Sequence, residues 1–239
     1  MILAAGLGTR LGDITLKKPK ALVEVQGTPM LHRLLIHLRQ EGIEQVCINV
    51  HHFADQIIES IRKENNFALD ICFSDEKSEL LDTGGALLAA KDFFTGKEPI
   101  LIHNADILTH LNFRQLHHFH VQNKAAATLF VSGRNSSRAL LFDKQKQLTG
   151  WTNHTTGEFK WVSKPMTEFS AQSFNGVWLS DPEFIHQIPF TGKFSIIDAW
   201  LTMAKENRIL GFQEDDCAWF DLGTSNKIAT AASFLNKKQ

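Results

Sequence analysis

Net charge is what this chain has least of: 25 lysines and arginines stand against 26 aspartates and glutamates, a formal charge of -1 at neutral pH. Such balance gives no general attraction to nucleic acid or an anionic membrane, so any cationic group must act locally. Cysteine is scarce too, and Cys47, Cys72 and Cys217 lie far apart in sequence. That pattern argues against a disulfide framework or a zinc site and for buried thiols in a reducing compartment. The histidines add no metal-ligand spacing: His51 and His52 follow a strand, and His117, His118 and His120 crowd a helix. Long apolar runs are missing as well. No stretch reaches the roughly 18 consecutive apolar residues of a membrane span, and the opening run stops at Arg10 without the basic start of a signal peptide. The expectation is a cytoplasmic protein. No linker or repeat divides the 239 residues, and 43% apolar composition with 18 Phe and 5 Trp suffices for one large domain or two packed halves.

What is present is concentrated at the start. Leu3-Ala4-Ala5-Gly6-Leu7-Gly8-Thr9-Arg10 carries an apolar strand straight into a glycine turn with a hydroxyl and a guanidinium, and Lys20 follows within Pro19-Lys20-Ala21-Leu22. Glycines let backbone N–H groups approach a phosphate closely, while arginine and lysine offset its charge. A nucleoside triphosphate pocket is the reading this supports. The run is not the dinucleotide fingerprint, which needs a third glycine three residues after Gly8, and it is not a P-loop, because Lys20 stands too far from the glycines. The loop from Gly12 to Lys18 is expected to fold over the triphosphate, with Lys17 and Lys18 at its mouth or as plain surface charge.

Hydrophobic periodicity predicts strands at 2–5, 46–50, 69–73 and 100–103, alternating with helices at 54–64 and 84–91 and one begun by Thr28-Pro29 and ended by Gly42. Continuous rather than alternating apolar strands argue for a largely parallel sheet covered by helices. Past Asn123 the texture changes. Strands are predicted at 126–131, 139–142, 173–179 and 209–212, with helices at 196–206 and 224–236. A nucleotide lobe of about 1–123 and a lobe of about 124–239 for the second substrate share one domain in this reading.

Asp106 follows the buried strand in Leu101-Ile102-His103-Asn104-Ala105-Asp106, where open α/β sheets bind ligands. Asp221 lies in a similar setting, Trp219-Phe220-Asp221-Leu222-Gly223-Thr224. Two carboxylates at apolar edges suit one Mg²⁺ held against phosphate oxygens, whereas the plainer alternative makes each a turn or helix-cap residue. Thr83-Gly84-Gly85 opens a helix and offers small residues against which a flat base can lie, or simply a loop before that helix. Trp151 and Trp161 flank a turn-rich stretch, near a sugar or in hairpin packing.

Taken together, these motifs resemble the sugar-1-phosphate nucleotidyltransferases over essentially the whole chain. The resemblance implies a Rossmann-like, three-layer α/β fold with a mixed sheet, of the nucleotide-diphospho-sugar transferase type. It implies transfer of a nucleoside monophosphate from an NTP to a sugar 1-phosphate, with pyrophosphate released and Mg²⁺ as cofactor. It further implies nucleotide binding by Ala5, Gly6, Gly8, Thr9, Arg10, Lys20, Gly84, Gly85 and Asn104, with Gly85 in the base-contacting loop. Arg10, Lys20 and Asp106 take catalytic roles, Asp106 and Asp221 hold the metal, and Asn175, Gly176 and Lys164 face the sugar phosphate, with Phe174 lining or supporting that side. Two departures stand out. The usual Asn-Gly-Asp reads Asn104-Ala105-Asp106, and the glutamate expected before Lys164-Pro165 is Ser163.

The chain's compactness resembles short members without a left-handed β-helix module. Among these the favoured reading is uridylyl transfer to N-acetylmuramic acid 1-phosphate in cell-wall recycling. Guanylyl transfer to a mannose- or heptose-type 1-phosphate, cytidylyl transfer to a phosphate such as phosphocholine, and a non-catalytic nucleotide-sugar sensor are the alternatives. A nicotinamide oxidoreductase is disfavoured by the missing third glycine. No nucleic-acid or membrane partner is expected, and the sequence leaves monomer and dimer open.

Overall fold

The computed structural model describes residues 1–6, 8–76 and 79–236. Leu7 of the opening motif, and Lys77 and Ser78 of the polar run before residue 82, lie outside them. Along the chain the strands are β1 (Ile2–Leu3), β2 (Glu24–Val25), β3 (Thr28–Pro29), β4 (Gln45–Val50), β5 (Asp70–Asp75), β6 (Ile100–Asn104), β7 (Ile107–Thr109), β8 (Ala127–Ser132), β9 (Arg138–Phe142), β10 (Leu148–Asn153), β11 (Glu158–Trp161), β12 (Ser170–Ser180), β13 (Ile209–Phe212) and β14 (Trp219–Asp221). The α-helices are α1 (Met30–Gln40), α2 (Ala54–Lys63), α3 (Asp82–Ala89), α4 (Phe113–Gln122), α5 (Pro182–His186), α6 (Ile196–Met203) and α7 (Ser225–Asn236). Among the described residues no helix is long and apolar enough to cross a membrane.

Two compact units form, and they interleave in sequence. Met1–Leu80, His103–His110 and the chain from Ala218 make the first, while Leu81–Ile102 and Leu111–Cys217 make the second. A single division near residue 123 therefore does not describe the chain. The reason is β14, which pairs antiparallel with β7 and returns the last helix to the first unit.

In the first unit β1 lies between the end of β6 and β4, with Ile2 opposite His103 on one side and Ile48 on the other, and β4 pairs with β5. All these pairings are parallel, as the continuous apolar strands predicted. Leu31, Leu34, Leu35 and Leu38 of α1 are buried on one face, as are Ile57 and Ile61 of α2. Thr28 and Pro29 are not the start of α1. They pair with Glu24 and Val25 as a short hairpin, and the helix begins at Met30 with no side-chain cap. Cys47 and Cys72, distant in sequence, are direct register partners on β4 and β5. Burial, then the neighbouring Cys72, pushes the Cys47 thiol up to about 12, so it stays protonated and unreactive at neutral pH.

In the second unit β13, β8, β12, β9, β10 and β11 pair in that order. Only the β13–β8 pair among them is parallel. The rings of Phe174, Trp178 and Trp200 meet edge-on, with centroids 5.1–5.7 Å apart. Trp161 stacks on Phe159 at 5.7 Å and Trp151 is buried in the same β10–β11 hairpin, so these two indoles serve hairpin packing.

Candidate active site

The opening motif folds as β1 running into short 3₁₀ turns over Thr9–Leu16, so the loop expected to cover a triphosphate is locally hydrogen-bonded. Gly8 turns the chain at φ +68°, and a Cβ there would lie 2.9 Å from both Lys20 Cβ and Thr15 Cγ2. Glycine at this position thus lets the Lys20 stem pack against the turn. Gly8→Ala adds left-handed strain and a collision, each with a named cause. We expect a loss of about 1–3 kcal/mol in stability, read as a lower Tm, together with reduced turnover because Lys20 is displaced.

Lys20 is 9% exposed and its Nζ pairs with Asp106 Oδ2. Asp106 sits just past β6, in the turn into β7. Ala105 avoids a positive φ, so the Asn-Ala-Asp variant keeps ordinary backbone. Asp221 comes from the other end of the chain. It is the register partner of Ile107, and the Leu222 N–H donates to the Asp106 carbonyl at 2.8 Å. The two aspartates, which sequence alone could not bring together, are neighbours across the β7–β14 ladder.

Asp221 Oδ2 accepts from Lys227 Nζ at 2.6 Å and its Oδ1 from the Gly223 N–H at 2.9 Å. Partial burial works to raise its pKa, but the hydrogen bond and charge of Lys227, the Gly223 N–H and the charge of Lys20 together hold it below the usual carboxylate value. The carboxylate is therefore ionised at neutral pH. It also tethers the first turn of α7, so the helix-capping alternative describes part of its role. The Arg10 guanidinium lies over Gly223: a Cβ on that glycine would be 3.2 Å from Arg10 Nη2 and 2.8 Å from Asp221 Oδ1. Arg10, Lys20, Asp106 and Asp221 thus form one cluster within the first unit.

Asn104, at the end of β6, has a buried side-chain oxygen with no hydrogen-bond partner in the structure. Such an orphan is uncommon in a protein interior and marks a position open to a ligand donor or cation. Thr9 and Gly6 are exposed beside the turn and Ala5 is buried. Lys18 pairs with Glu24 at 2.7 Å, which accounts for it as surface charge, while the Lys17 carbonyl accepts from Gln56 at 3.3 Å. Asn49 and Glu76 gave no signal that we read in the sequence. Asn49 Oδ1 accepts from the Ala4 N–H at 2.6 Å and its Nδ2 donates to Glu76 Oε1 at 2.7 Å, fixing the backbone that leads into the glycine turn. A polar residue inside the apolar run Ile48-Asn49-Val50 was the clue.

In the second unit Gly84 and Gly85, expected on the base side, lie in α3 with close neighbours. Both are buried in α3, their N–H groups donate to the Phe194 carbonyl, and a Cβ would strike the Phe194 ring or the Gly192 carbonyl at 2.3 Å. Close packing explains why they are small. Asn175 is 1% exposed, and its Oδ1 accepts from Ser132 Oγ and Arg134 Nε, while Gly176 follows at φ +77° in a bulge of β12. Phe174 turns to Trp178 and Trp200, so it supports rather than lines this region. Lys164 lies in an exposed segment after β11. Among the described residues there is no group of three His, Cys, Asp or Glu side chains that could hold a metal.

The family model described as nucleotidyl transferase matches residues 1–142, more than half of the chain. The chain is 29% identical to N-acetylmuramate alpha-1-phosphate uridylyltransferase of Caulobacter vibrioides over 97% of its length and 95% of that protein's. It is 27% identical to mannose-1-phosphate guanyltransferase of Yarrowia lipolytica, aligning over its whole length but only 65% of that relative's. Its fold is similar to the crystal structure of HddC from Yersinia pseudotuberculosis complexed with GMP-PN, with a TM-score of 0.76, 21% identity and coverage of 98% of this chain and 97% of that one. Matching motif, matching length and matching fold lead to one assignment: the chain belongs to the nucleotidyl transferase family, among the sugar-1-phosphate nucleotidyltransferases.

Proposed function

We propose that this protein transfers a uridylyl group from UTP to N-acetylmuramic acid 1-phosphate, releasing pyrophosphate. The observation that carries the mechanism is the cluster of Lys20 on Asp106 with Asp221 as its ladder neighbour. The substrate choice rests on the uridylyltransferase relative, whose length this chain nearly matches.

The acceptor's phosphate oxygen is already an anion, so no serine or histidine base is needed. The difficulty is bringing two anions together and steadying charge at the α-phosphorus. Arg10, exposed beside the glycine turn, would steady the leaving pyrophosphate, and Lys20 the charge developing on the transferred group. The Asp106 contact and the Gly8 turn hold the Lys20 ammonium in one position before substrate arrives. Two carboxylates and the partnerless Asn104 oxygen are hard oxygen donors, which fit Mg²⁺, a cation that takes one or two carboxylates with phosphate oxygens and water. Asp106 and Asp221 would hold it, and bound there it would supply Lewis-acid stabilisation of the phosphate oxygens.

Guanylyl transfer to a mannose-type 1-phosphate is the second reading, favoured by the guanyltransferase relatives. Pyrophosphate release measured with UTP and GTP, each against N-acetylmuramic acid 1-phosphate and mannose 1-phosphate, separates the two. The UTP–muramate pair is expected to be fastest. Release with GTP and mannose 1-phosphate alone would replace the first reading by the second.

A further inference from the structure

The opening strand enters the glycine turn held from both sides. On one side the Ala105 N–H, next to Asp106, donates to the Leu3 carbonyl at 3.0 Å. On the other, β4 supplies a side chain in place of its backbone: Asn49, the register partner of Leu3, accepts from the Ala4 N–H at 2.6 Å through Oδ1. Strand β1 ends at Leu3, so this amide carries the ladder one residue further and fixes the chain just before Ala5 and Gly6. Asn49 is fixed in turn by Glu76, whose Oε1 accepts from Asn49 Nδ2 at 2.7 Å. Glu76 follows β5 and is anchored by its own backbone. Its N–H donates to the Val50 carbonyl at 2.8 Å, and its carbonyl accepts from His51 Nδ1 at 2.7 Å and from the Glu79 N–H at 3.1 Å. Asn49 is 3% exposed and Glu76 2%. Burying an amide and a carboxylate is costly where an apolar residue would simply pack, and hydrogen bonding is what offsets that cost.

We infer that Asn49 and Glu76 are positioning residues for the nucleoside triphosphate, a relay from Glu76 through Asn49 to Ala4 that sets the backbone from which the Gly6 and Gly8 N–H groups meet the phosphates. The inference rests on the transferase reading given above and adds to it residues that act through Ala4 rather than on the nucleotide itself. N–H groups lose hydrogen-bond strength steeply when misaligned. A turn whose entry is fixed before the ligand arrives also loses less freedom on binding. Because the relay acts on the turn alone, it governs the nucleotide and not the acceptor sugar.

The test is calorimetric titration of the wild-type protein with UTP and with GTP, the tighter of the two then being followed in variants. Asn49→Leu keeps the volume but leaves the Ala4 N–H without its acceptor. Asn49→Ser keeps a hydroxyl too short to span from Ala4 to Glu76. Each should weaken the nucleotide about tenfold, while KM for the sugar phosphate stays within about twofold of wild type. Glu76→Leu should weaken it as well, and Glu76→Gln, whose amide oxygen still accepts from Asn49 Nδ2, should restore it to within about twofold. A purely structural pair would lower Tm and the fraction of protein that binds, yet leave Kd of the folded fraction unchanged. That result overturns the inference, as does a KM for the sugar phosphate that rises in step with the nucleotide's Kd. Should Asn49→Leu fail to fold, Asn49→Ser decides. A wild-type protein that binds neither nucleotide overturns the nucleotide pocket itself, whereas wild-type binding that the variants leave unchanged overturns only the relay.

Discussion

Asp106→Ala should lower kcat about 10²–10³-fold, equivalent to ~2.7–4 kcal/mol of transition-state stabilisation. The same substitution leaves the Lys20 ammonium without its carboxylate in a site where the two side chains are only 11% and 24% exposed. Breaking a fully buried pair costs about 3–5 kcal/mol, and partial solvation of Asp106 reduces this to about 1–2 kcal/mol here. Lost activity in Asp106→Ala therefore mixes chemistry with stability, and Asp106→Asn separates them. The amide still accepts from Lys20 but carries no charge. Its Tm should return close to wild type while kcat stays low, as measured by thermal unfolding beside pyrophosphate release. Restoration of both by the amide would make Asp106 a structural residue.

Trp200→Ala is expected to cost about 3–5 kcal/mol, a fall in Tm of roughly 10 °C for a chain of this size. Trp200 is fully buried and meets Phe174 at 5.1 Å and Trp178 at 5.4 Å. Removing the indole opens a cavity beneath Phe174, the residue that leads into Asn175 and Gly176. The effect should therefore reach function as a higher KM for the sugar phosphate. Trp200→Phe is the control. The buried indole N–H has no hydrogen-bond partner in the structure, so its loss removes no bond, and a ring that keeps most of the volume should cost under about 1.5 kcal/mol. A Trp200→Ala protein as stable as wild type would show that the aromatic cluster does not support this unit.

The parallel half of the fold was legible because buried strands such as Gln45–Val50 read as nearly continuous apolar runs, interrupted there only by Asn49 after Gln45. The glycine turn and Lys20 were legible because they are local in sequence and each residue type has a reason to be there. The meeting of Asp106 and Asp221 was not, since it depends on two three-residue strands, too short to show any period and drawn from the middle and the last part of the chain. The tight packing of Gly84 and Gly85 was hidden for a related reason. What fills the space beside them is Phe194 and Gly192, whose approach no local pattern announces. Thr28-Pro29 carries a good helix-start signal, yet pairing with Glu24–Val25 claims both residues. Arg134 left no trace either, because its importance lies in a grip on Asn175 made only by the tertiary fold.

Asp221 decides between a catalytic cluster and a tether for α7, because its carboxylate is bound to both Gly223 and Lys227. The measurement is Mg²⁺-dependent pyrophosphate release from UTP and N-acetylmuramic acid 1-phosphate by Asp221→Ala, with thermal unfolding on the same preparation. The account expects a folded protein whose kcat has dropped about a hundredfold or more. Near-normal turnover by that variant would contradict it and leave Asp221 as the cap of a helix.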